Sequence, residues 1–182
     1  MTLNGDAQII TSDKKYGNGC LSFDGSGDYM SLPNHIDFDF STGKDFTIEF
    51  FVKFSSLSSF KALIARSVTN SDSTFNLDAN STNIRITGWY SVYIDQPHGM
   101  STNTWYYIAV TREGNTLKLY KDGILLGSYT GATNFPNTNT FTVGGDPLSG
   151  AGASINGKVD ELRITKRARV ITSVPSAAFP DS

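Results

Sequence analysis

Asp45-Phe46-Thr47-Ile48-Glu49-Phe50-Phe51-Val52-Lys53-Phe54 is the stretch that decides the fold. Phe46, Ile48, Phe50, Val52 and Phe54 alternate with Thr47, Glu49, Phe51 and Lys53. A period of two puts the first set on one face of a β-strand and the second set on the other. Phe51 interrupts the polar set, so a loop is expected to lie over that face. A strand with one apolar face needs a second layer to bury it, which calls for two sheets around one core.

The same pattern continues on both sides. Upstream, Leu21-Ser22-Phe23 leads into a glycine-rich turn, Asp24-Gly25-Ser26-Gly27-Asp28, and Tyr29-Met30-Ser31-Leu32 leads out of it. Downstream, Ala62 to Ala65 reads as a strand, and Phe75-Asn76-Leu77 with Ile84-Arg85-Ile86 reads as a hairpin. Trp105 to Thr111 is aromatic and β-branched, as strands prefer. Thr116 to Tyr120 and Ile124 to Leu126 flank Lys121-Asp122-Gly123, the strongest hairpin signal in the chain. Phe141-Thr142-Val143 and Lys158 to Thr165 complete roughly a dozen short strands separated by turns. The expected architecture is all-β: an antiparallel β-sandwich (jelly roll) of two packed sheets. It forms a single domain over residues 1–182, with an extended tail from about residue 170 that holds Pro175 and Pro180. Phe46, Ile48, Phe50, Trp105, Tyr107, Leu119 and Ile164 are expected in the core.

Composition sets bounds on partners. A chain of 182 residues can bury a core without staples. The single cysteine, Cys20, permits no internal disulfide and reads as a small buried hydrophobe. With 15 basic and 17 acidic residues the net charge is -2, which offers neither a nucleic-acid footprint nor a polybasic membrane patch. No apolar run approaches the ~20 residues of a membrane span, so no membrane insertion is expected. Met1 to Asp6 has no basic region followed by an apolar core, so no signal peptide is expected in this chain.

Five segments, in order, resemble laminin-G-like domains of the concanavalin A-like lectin-glucanase jelly rolls, a superfamily that includes the pentraxins. They are Leu21 to Tyr29, Asp45 to Lys53, Trp105 to Arg112, Leu119-Tyr120-Lys121-Asp122-Gly123, and Gly157-Lys158-Val159-Asp160-Glu161-Leu162-Arg163-Ile164. The resemblance implies two antiparallel sheets and a binding role, together with a Ca²⁺ ion at the sheet edge. The chain's end, including Ala178-Phe179-Pro180, more loosely resembles the close of such domains in tailed-phage virion proteins.

Two sets of residues are candidates for chemistry. Asp24, Asp28 and Asp160 are the expected Ca²⁺ ligands. In the closing strand Asp160 shares parity with Leu162 and Ile164, and a carboxylate facing a core needs partners. The Asp24–Asp28 turn offers further carboxylate and carbonyl oxygens for a cation that takes six to eight. The structural alternative is that these aspartates accept hydrogen bonds from turn amides. Asp146, after Gly144-Gly145, stands in a loop comparable to the pentraxins' calcium loop but lacks their other acids, and the spacing of Asp72 and Asp78 fits no calcium loop. The second set is Trp89, Tyr90, Tyr93, Asp95 and His98, a ligand-binding candidate: rings for apolar sugar faces and polar groups for hydroxyls. The alternative places Trp89 and Tyr93 in the core or on a sheet face. His98 follows Pro97 and precedes Gly99, so it is expected to be exposed.

Catalysis finds no motif. The glutamates are Glu49, Glu113 and Glu161, widely scattered, with no pair spaced for acid and nucleophile on one strand. Three function classes stay open: a glycan- or surface-protein-binding adhesion module, a structural or virion assembly domain with homo-oligomers, and a hydrolase. The first is favoured, with an extracellular or virion-surface location.

Overall fold

The computed structural model describes residues 1–67 and 74–180, so Asp72 lies outside the described residues. Its strands are β1 (Thr2–Asn4), β2 (Gln8–Ile10), β3 (Cys20–Asp24), β4 (Tyr29–Leu32), β5 (Phe46–Ser56), β6 (Lys61–Arg66), β7 (Phe75–Ala79), β8 (Asn83–Thr87), β9 (Val92–Pro97), β10 (Trp105–Glu113), β11 (Thr116–Lys121), β12 (Ile124–Thr130), β13 (Phe141–Val143) and β14 (Asn156–Thr165). They form two seven-stranded sheets. The front sheet runs β1-β4-β13-β6-β7-β8-β9 and the back sheet runs β12-β11-β10-β5-β14-β3-β2. Neighbouring strands are antiparallel, as the alternating sequence requires.

Register explains the layering. Across the front sheet, Leu3, Met30, Val143, Ile64, Leu77, Ile86 and Ile94 lie opposite one another. All seven are apolar, and all belong to or pack against the main core. One residue along, the row is Thr2, Ser31, Thr142, Ala65, Asn76, Thr87 and Val92. This row points away from the core and is mostly polar. In the back sheet, Phe46, Ile48, Phe50, Val52, Ile108, Val110 and Leu119 fill the inner face.

Phe46, Ile48, Phe50 and Leu119 are buried as expected, and Ile164 is half-buried against the main core. Trp105 and Tyr107 differ from expectation. They share the outer face of the back sheet with Phe51 and Ala109, in a second apolar cluster. Trp105 is opposite Lys53, and Tyr107 is opposite Phe51, so parity places both away from the core. Cys20 opens β3 and is buried.

The second cluster is covered by the tail beyond β14, with Ile171 and Phe179 packed on it and Tyr16 closing one side. This covering segment accounts for the apolar Phe51 on an otherwise polar face. Polar contacts fix the tail's path. Thr47 Oγ1 donates to the Arg167 carbonyl at 2.8 Å and accepts from the Arg169 amide at 2.9 Å. Tyr16 donates its hydroxyl to the Pro175 carbonyl at 3.0 Å, and the Phe179 amide donates to Glu161 at 2.5 Å. The Arg163 guanidinium sits 3.8 Å from the Phe179 ring centroid.

Beneath the tail, Glu49 is only 1% exposed. It accepts hydrogen bonds from Arg163 Nε at 2.9 Å and from the Tyr107 hydroxyl at 2.5 Å. Arg169 Nε lies 3.1 Å from the same carboxylate. Burial, followed by the neighbouring Glu49 carboxylate, pushes the Tyr107 hydroxyl far above its ordinary pKa.

Phe179→Ala is expected to lower unfolding stability by about 1–2 kcal/mol, the worth of a partly buried aromatic side chain. Val170→Ala, at a fully exposed tail position, should change it by less than about 0.5 kcal/mol. Urea titrations of both variants check the assignment.

Candidate functional site

The tail covers the middle of the back sheet's outer face, with cavities of about 370 and 730 Å³ along its borders, while no segment of the described chain crosses the outer face of the front sheet in the same way. Two adjoining cavities of about 240 and 260 Å³ lie on it and share Asp146. The first is bordered by Tyr29, Ser31, Ser67, Asn139, Thr142 and Leu148. The second is bordered by Phe60, Asn76, Asp78, Arg85 and Ser149. Together they make one groove across β4, β13, β6, β7 and β8. The short 3-10 turns at Pro147–Ser149 and Ala151–Ala153 form its raised wall.

Asp146 stands at the centre and is 4% exposed. One oxygen accepts from the hydroxyls of Ser67 at 2.7 Å and Ser149 at 2.6 Å; the other accepts from the Leu148 amide at 3.1 Å. Thr142 Oγ1 lies 2.8 Å from the Gly145 carbonyl and 3.2 Å from the Ala65 carbonyl. Asp78 takes both ends of the Arg85 guanidinium, at 2.6 and 3.3 Å, and that guanidinium lies 3.4 Å from the Phe60 ring centroid. Burial pushes the Asp78 carboxyl upward, Arg85 opposes the shift, and the charges of Asp95 and Asp146 add to it.

The structure divides the five expected ligand-binding residues. Trp89 and Tyr90 occupy the turn between β8 and β9, where Trp89 is 41% and Tyr90 69% exposed. Their rings are 6.5 Å apart and nearly perpendicular. They sit at the end of the outward row, beside Thr87 and Val92. Asp95 lies on the open face opposite Arg85 and accepts from the Asn83 side chain at 2.7 Å. Tyr93 turns inward instead, with its ring packed against Tyr129 and Phe135. The reason is a bulge: Ile94 lies opposite Ile86 and Val92 opposite Thr87, so Tyr93 is the extra residue between them and packs against the core while Asp95 keeps the outer face.

His98 is the clear correction: it is buried rather than exposed, at 3%. Its Nδ1 accepts from the Met100 amide at 2.7 Å, and Nε2 lies 2.8 Å from the Asn80 carbonyl. Accepting at Nδ1 requires the proton on Nε2, so the neutral ring bridges two loops. Burial pulls its pKa below the ordinary histidine value, against the Asn80 carbonyl, with Lys121 contributing in the same direction as burial.

The proposed convergence of Asp24, Asp28 and Asp160 does not occur. Asp24 lies opposite Asn156, and Asp160 is four residues further along β14, about 13 Å at ~3.3 Å per residue. A bulge separates Asp160 from Arg163, with Glu161 at φ 53°. The extra residue reverses parity, so Asp160 faces outward with Phe51 while Leu162 and Ile164 turn to the core. Each carboxylate accepts amide protons. Asp160 accepts from Lys15, Tyr16 and Glu161 at 2.7, 3.0 and 2.9 Å. Asp28 accepts from Asp6 and Asp24 at 2.6 and 2.8 Å, and Asp24 accepts from Ser26 at 2.7 Å. Among the described residues no group of three metal-ligating side chains forms. The three aspartates therefore do not fit a shared Ca²⁺ ion, and the turn-amide alternative describes them.

Comparison with known proteins supplies the family. The family model described as the concanavalin A-like lectin/glucanases superfamily matches residues 24–174. Among curated proteins, none matches the chain. Solved structures share the fold at low identity. Domain 4 of AbnA, an extracellular GH43 arabinanase from Geobacillus stearothermophilus, in complex with arabinotriose, superimposes with a TM-score of 0.67 at 19% identity. That alignment covers 90% of this chain and 77% of the other. The binding domain of Paraclostridial Mosquitocidal Protein 1 gives 0.71 at 15% identity, covering 92% of this chain and 44% of that one. The Ruminococcus gnavus IT-sialidase CBM40 bound to α2,3-sialyllactose gives 0.62 at 15%, covering 80% of this chain and 96% of the other.

Two measurements test these assignments. Asp28→Ala leaves the part-buried amides of Asp6 and Asp24 without their acceptor and is expected to cost about 1–3 kcal/mol, by the same amount in Ca²⁺ and in EDTA. His98 gives a pH signature. Because its folded pKa lies below the unfolded value of about 6.5, the unfolded chain binds the extra proton first. Stability should be full above about pH 7 and fall as pH drops through 6.5 toward the folded pKa. His98→Asn should lose that slope in chemical denaturation at pH 5 to 8.

Proposed function

The chain belongs to the concanavalin A-like lectin/glucanase superfamily, and from that premise we propose that it is a non-catalytic glycan-binding module acting outside the cell, with its ligand held in the groove of the front sheet. One observation carries the reading. The outward row of the front sheet, Ser31, Thr142, Ala65, Asn76 and Thr87, is mostly polar and borders two adjoining cavities around Asp146, whereas the middle of the opposite outer face is an apolar cluster covered by the chain's own tail. A sandwich that needed only to be stable would gain nothing from leaving a 240 Å³ and a 260 Å³ cavity side by side above a buried carboxylate. Such concave surfaces with a few convergent polar groups are where small ligands bind.

The shapes fit a sugar chain. The groove crosses several strands, and Trp89 and Tyr90 stand at its far edge, where a ring can stack on the apolar face of a distal sugar. Ser31, Thr142, Asn76 and Asp95 supply hydroxyl, amide and carboxylate groups for sugar hydroxyls. Structures of the same fold caught with arabinotriose and with sialyllactose support the ligand class.

Non-catalysis follows from the glutamates. Glu49 is 1% exposed under the tail, at the floor of a 370 Å³ cavity, and its carboxylate is taken up by Arg163, Arg169 and the Tyr107 hydroxyl, with no second carboxylate among the described residues lining that cavity to complete an acid–base pair. No reaction is assigned to Glu113 or Glu161, which stand apart from it in sequence and carry no paired carboxylate.

A glycan array followed by amide chemical-shift mapping tests the proposal. Binding should shift amides of β13, β6 and β7. Ser31→Trp, which puts an indole into the groove, should abolish it with little change in melting temperature, and Trp89→Ala should weaken it several-fold. Stable oligomers without a response to any glycan would instead support an assembly domain.

A further inference from the structure

Resting on that reading, we infer that the groove takes neutral, polyhydroxylated glycans and turns away those bearing a carboxylate, such as sialylated or uronate chains.

The hydroxyl protons around Asp146, those of Ser67, Ser149 and Thr142, are already engaged. Ser149 donates to Asp146. Ser67 has one proton and two acceptors within reach, Asp146 at 2.7 Å and the Asn76 side-chain oxygen at 3.1 Å. Thr142 likewise has one proton between two carbonyls. The amide of Asn139 donates to the Ser67 carbonyl. A hydroxyl that has given its proton keeps its lone pairs. Toward a ligand, Ser67, Ser149 and Thr142 are therefore acceptors. Asp146 has about four lone-pair positions and receives three hydrogen bonds, which leaves one more acceptor position. Apart from the remaining amide protons of Asn76 and Asn139, such a floor needs donors from the ligand. Sugar hydroxyls provide them, while a carboxylate has none to give.

Charge points the same way. Asp78, Asp95 and Asp146 lie on this face. Arg85 is taken up by Asp78 in a two-point contact and stacked on Phe60, which fixes its orientation. Lys61 reaches the rim, where its ammonium donates to the Gly152 carbonyl. Among the described residues, three negative and two positive charges leave the groove net negative, and no ion pair gives Asp146 a cation partner. Burial pushes the Asp78 carboxyl upward against Arg85, and the charges of Asp95 and Asp146 add a smaller push in the same direction. An incoming carboxylate would meet the same repulsion in a partly enclosed groove, where solvent screens it poorly.

The fold alone does not dictate this preference, since a structure of the same fold holds α2,3-sialyllactose and another holds arabinotriose. The distinction lies in the side chains of this face.

The test is calorimetry and amide-shift mapping with arabinotriose, cellotriose, xylotriose and lactose against 3′-sialyllactose and trigalacturonate, in low salt. The expected result is a neutral sugar that shifts groove amides and acidic sugars that bind at least ten-fold more weakly, about 1.4 kcal/mol. The gap should narrow in Asp146→Asn. Since Asp146 also holds the Pro147–Ser149 turn, Asp95→Asn and a repeat at high salt provide second readouts, each expected to improve acidic-sugar binding. An acidic sugar that binds through the groove as tightly as the neutral ones would overturn this inference while leaving the glycan-binding reading intact. If no sugar of either class shifts a groove amide, both fall.

Discussion

A carboxylate buried on the outside of a sandwich is the constraint around which this molecule is arranged. Glu49 lies on the outer face of the longest strand, where a single sheet would leave it in water. Next to it on the same face is Phe51, which water disfavours. Covering Phe51 gains hydrophobic energy, but the cover also dehydrates Glu49. That is tolerable only because Arg163 and Arg169 supply opposite charge and Tyr107 supplies a proton donor. Arg169 arrives with the tail, so the segment that buries the charge also helps to neutralise it. The bulge at Asp160 and Glu161 belongs to the same arrangement, because it turns Arg163 outward to meet Glu49.

The cover gives the two sheets different surfaces. The back sheet has an outer face packed much like a second core, with Phe51, Tyr107 and Ala109 almost wholly buried. The front sheet keeps a hydrated face with a polar row and a negative groove. In an antiparallel sandwich each strand serves both an inner and an outer face. A residue that improves binding on the open face can therefore change without touching the core, since its neighbours in sequence, not itself, carry the packing. Thr142 between Phe141 and Val143 shows this: both neighbours are in the core cluster, and the threonine looks out.

The fold was legible because alternation is local. Phe46 to Phe54 states its inner face without reference to any other segment, and Lys121-Asp122-Gly123 states its turn, with φ of 52° and 80° at Asp122 and Gly123. The site was less legible because it depends on distant partners. Parity placed Asp160 inward, and one bulge reversed it; nothing in Val159-Asp160-Glu161 marks a left-handed residue at Glu161. His98 looked exposed beside Pro97 and Gly99, yet the loops it ties together, through Asn80 and Met100, bury it. The Val92–Pro97 strand was obscured by aromatic residues that read as a binding surface. Trp89, Tyr90 and Asp95 were singled out for chemistry and do reach the open face or its edge. Asp146 was noticed only as a solitary acid. The serines that complete its setting, Ser67 and Ser149, carry no sequence signal, because a serine beside a groove looks like any loop serine.

Asp28 and Asp146 turn out to be two ends of one structural problem. The chain must leave β13 on the core side and deliver an acid to the open face within three residues. Gly144 accomplishes the first half at φ 83°, in a position where any Cβ would run into the Phe23 ring. Gly145 accomplishes the second, passing so close to the backbone of Asp28 that a Cβ there would strike the Asp28 carbonyl and crowd Tyr29. Close passage demands that the Asp28 segment stay in place. Asp28 secures it by accepting the amides of Asp6 and Asp24 with its buried carboxylate. The aspartate that resembles a metal ligand thus acts as an anchor for the turn beneath the groove. Tyr29, its neighbour, lines the cavity in front of Asp146. A change at Asp28 would therefore reach the groove through backbone position rather than through lost charge, since the carboxylate is wholly buried against the Asp6 and Asp24 amides.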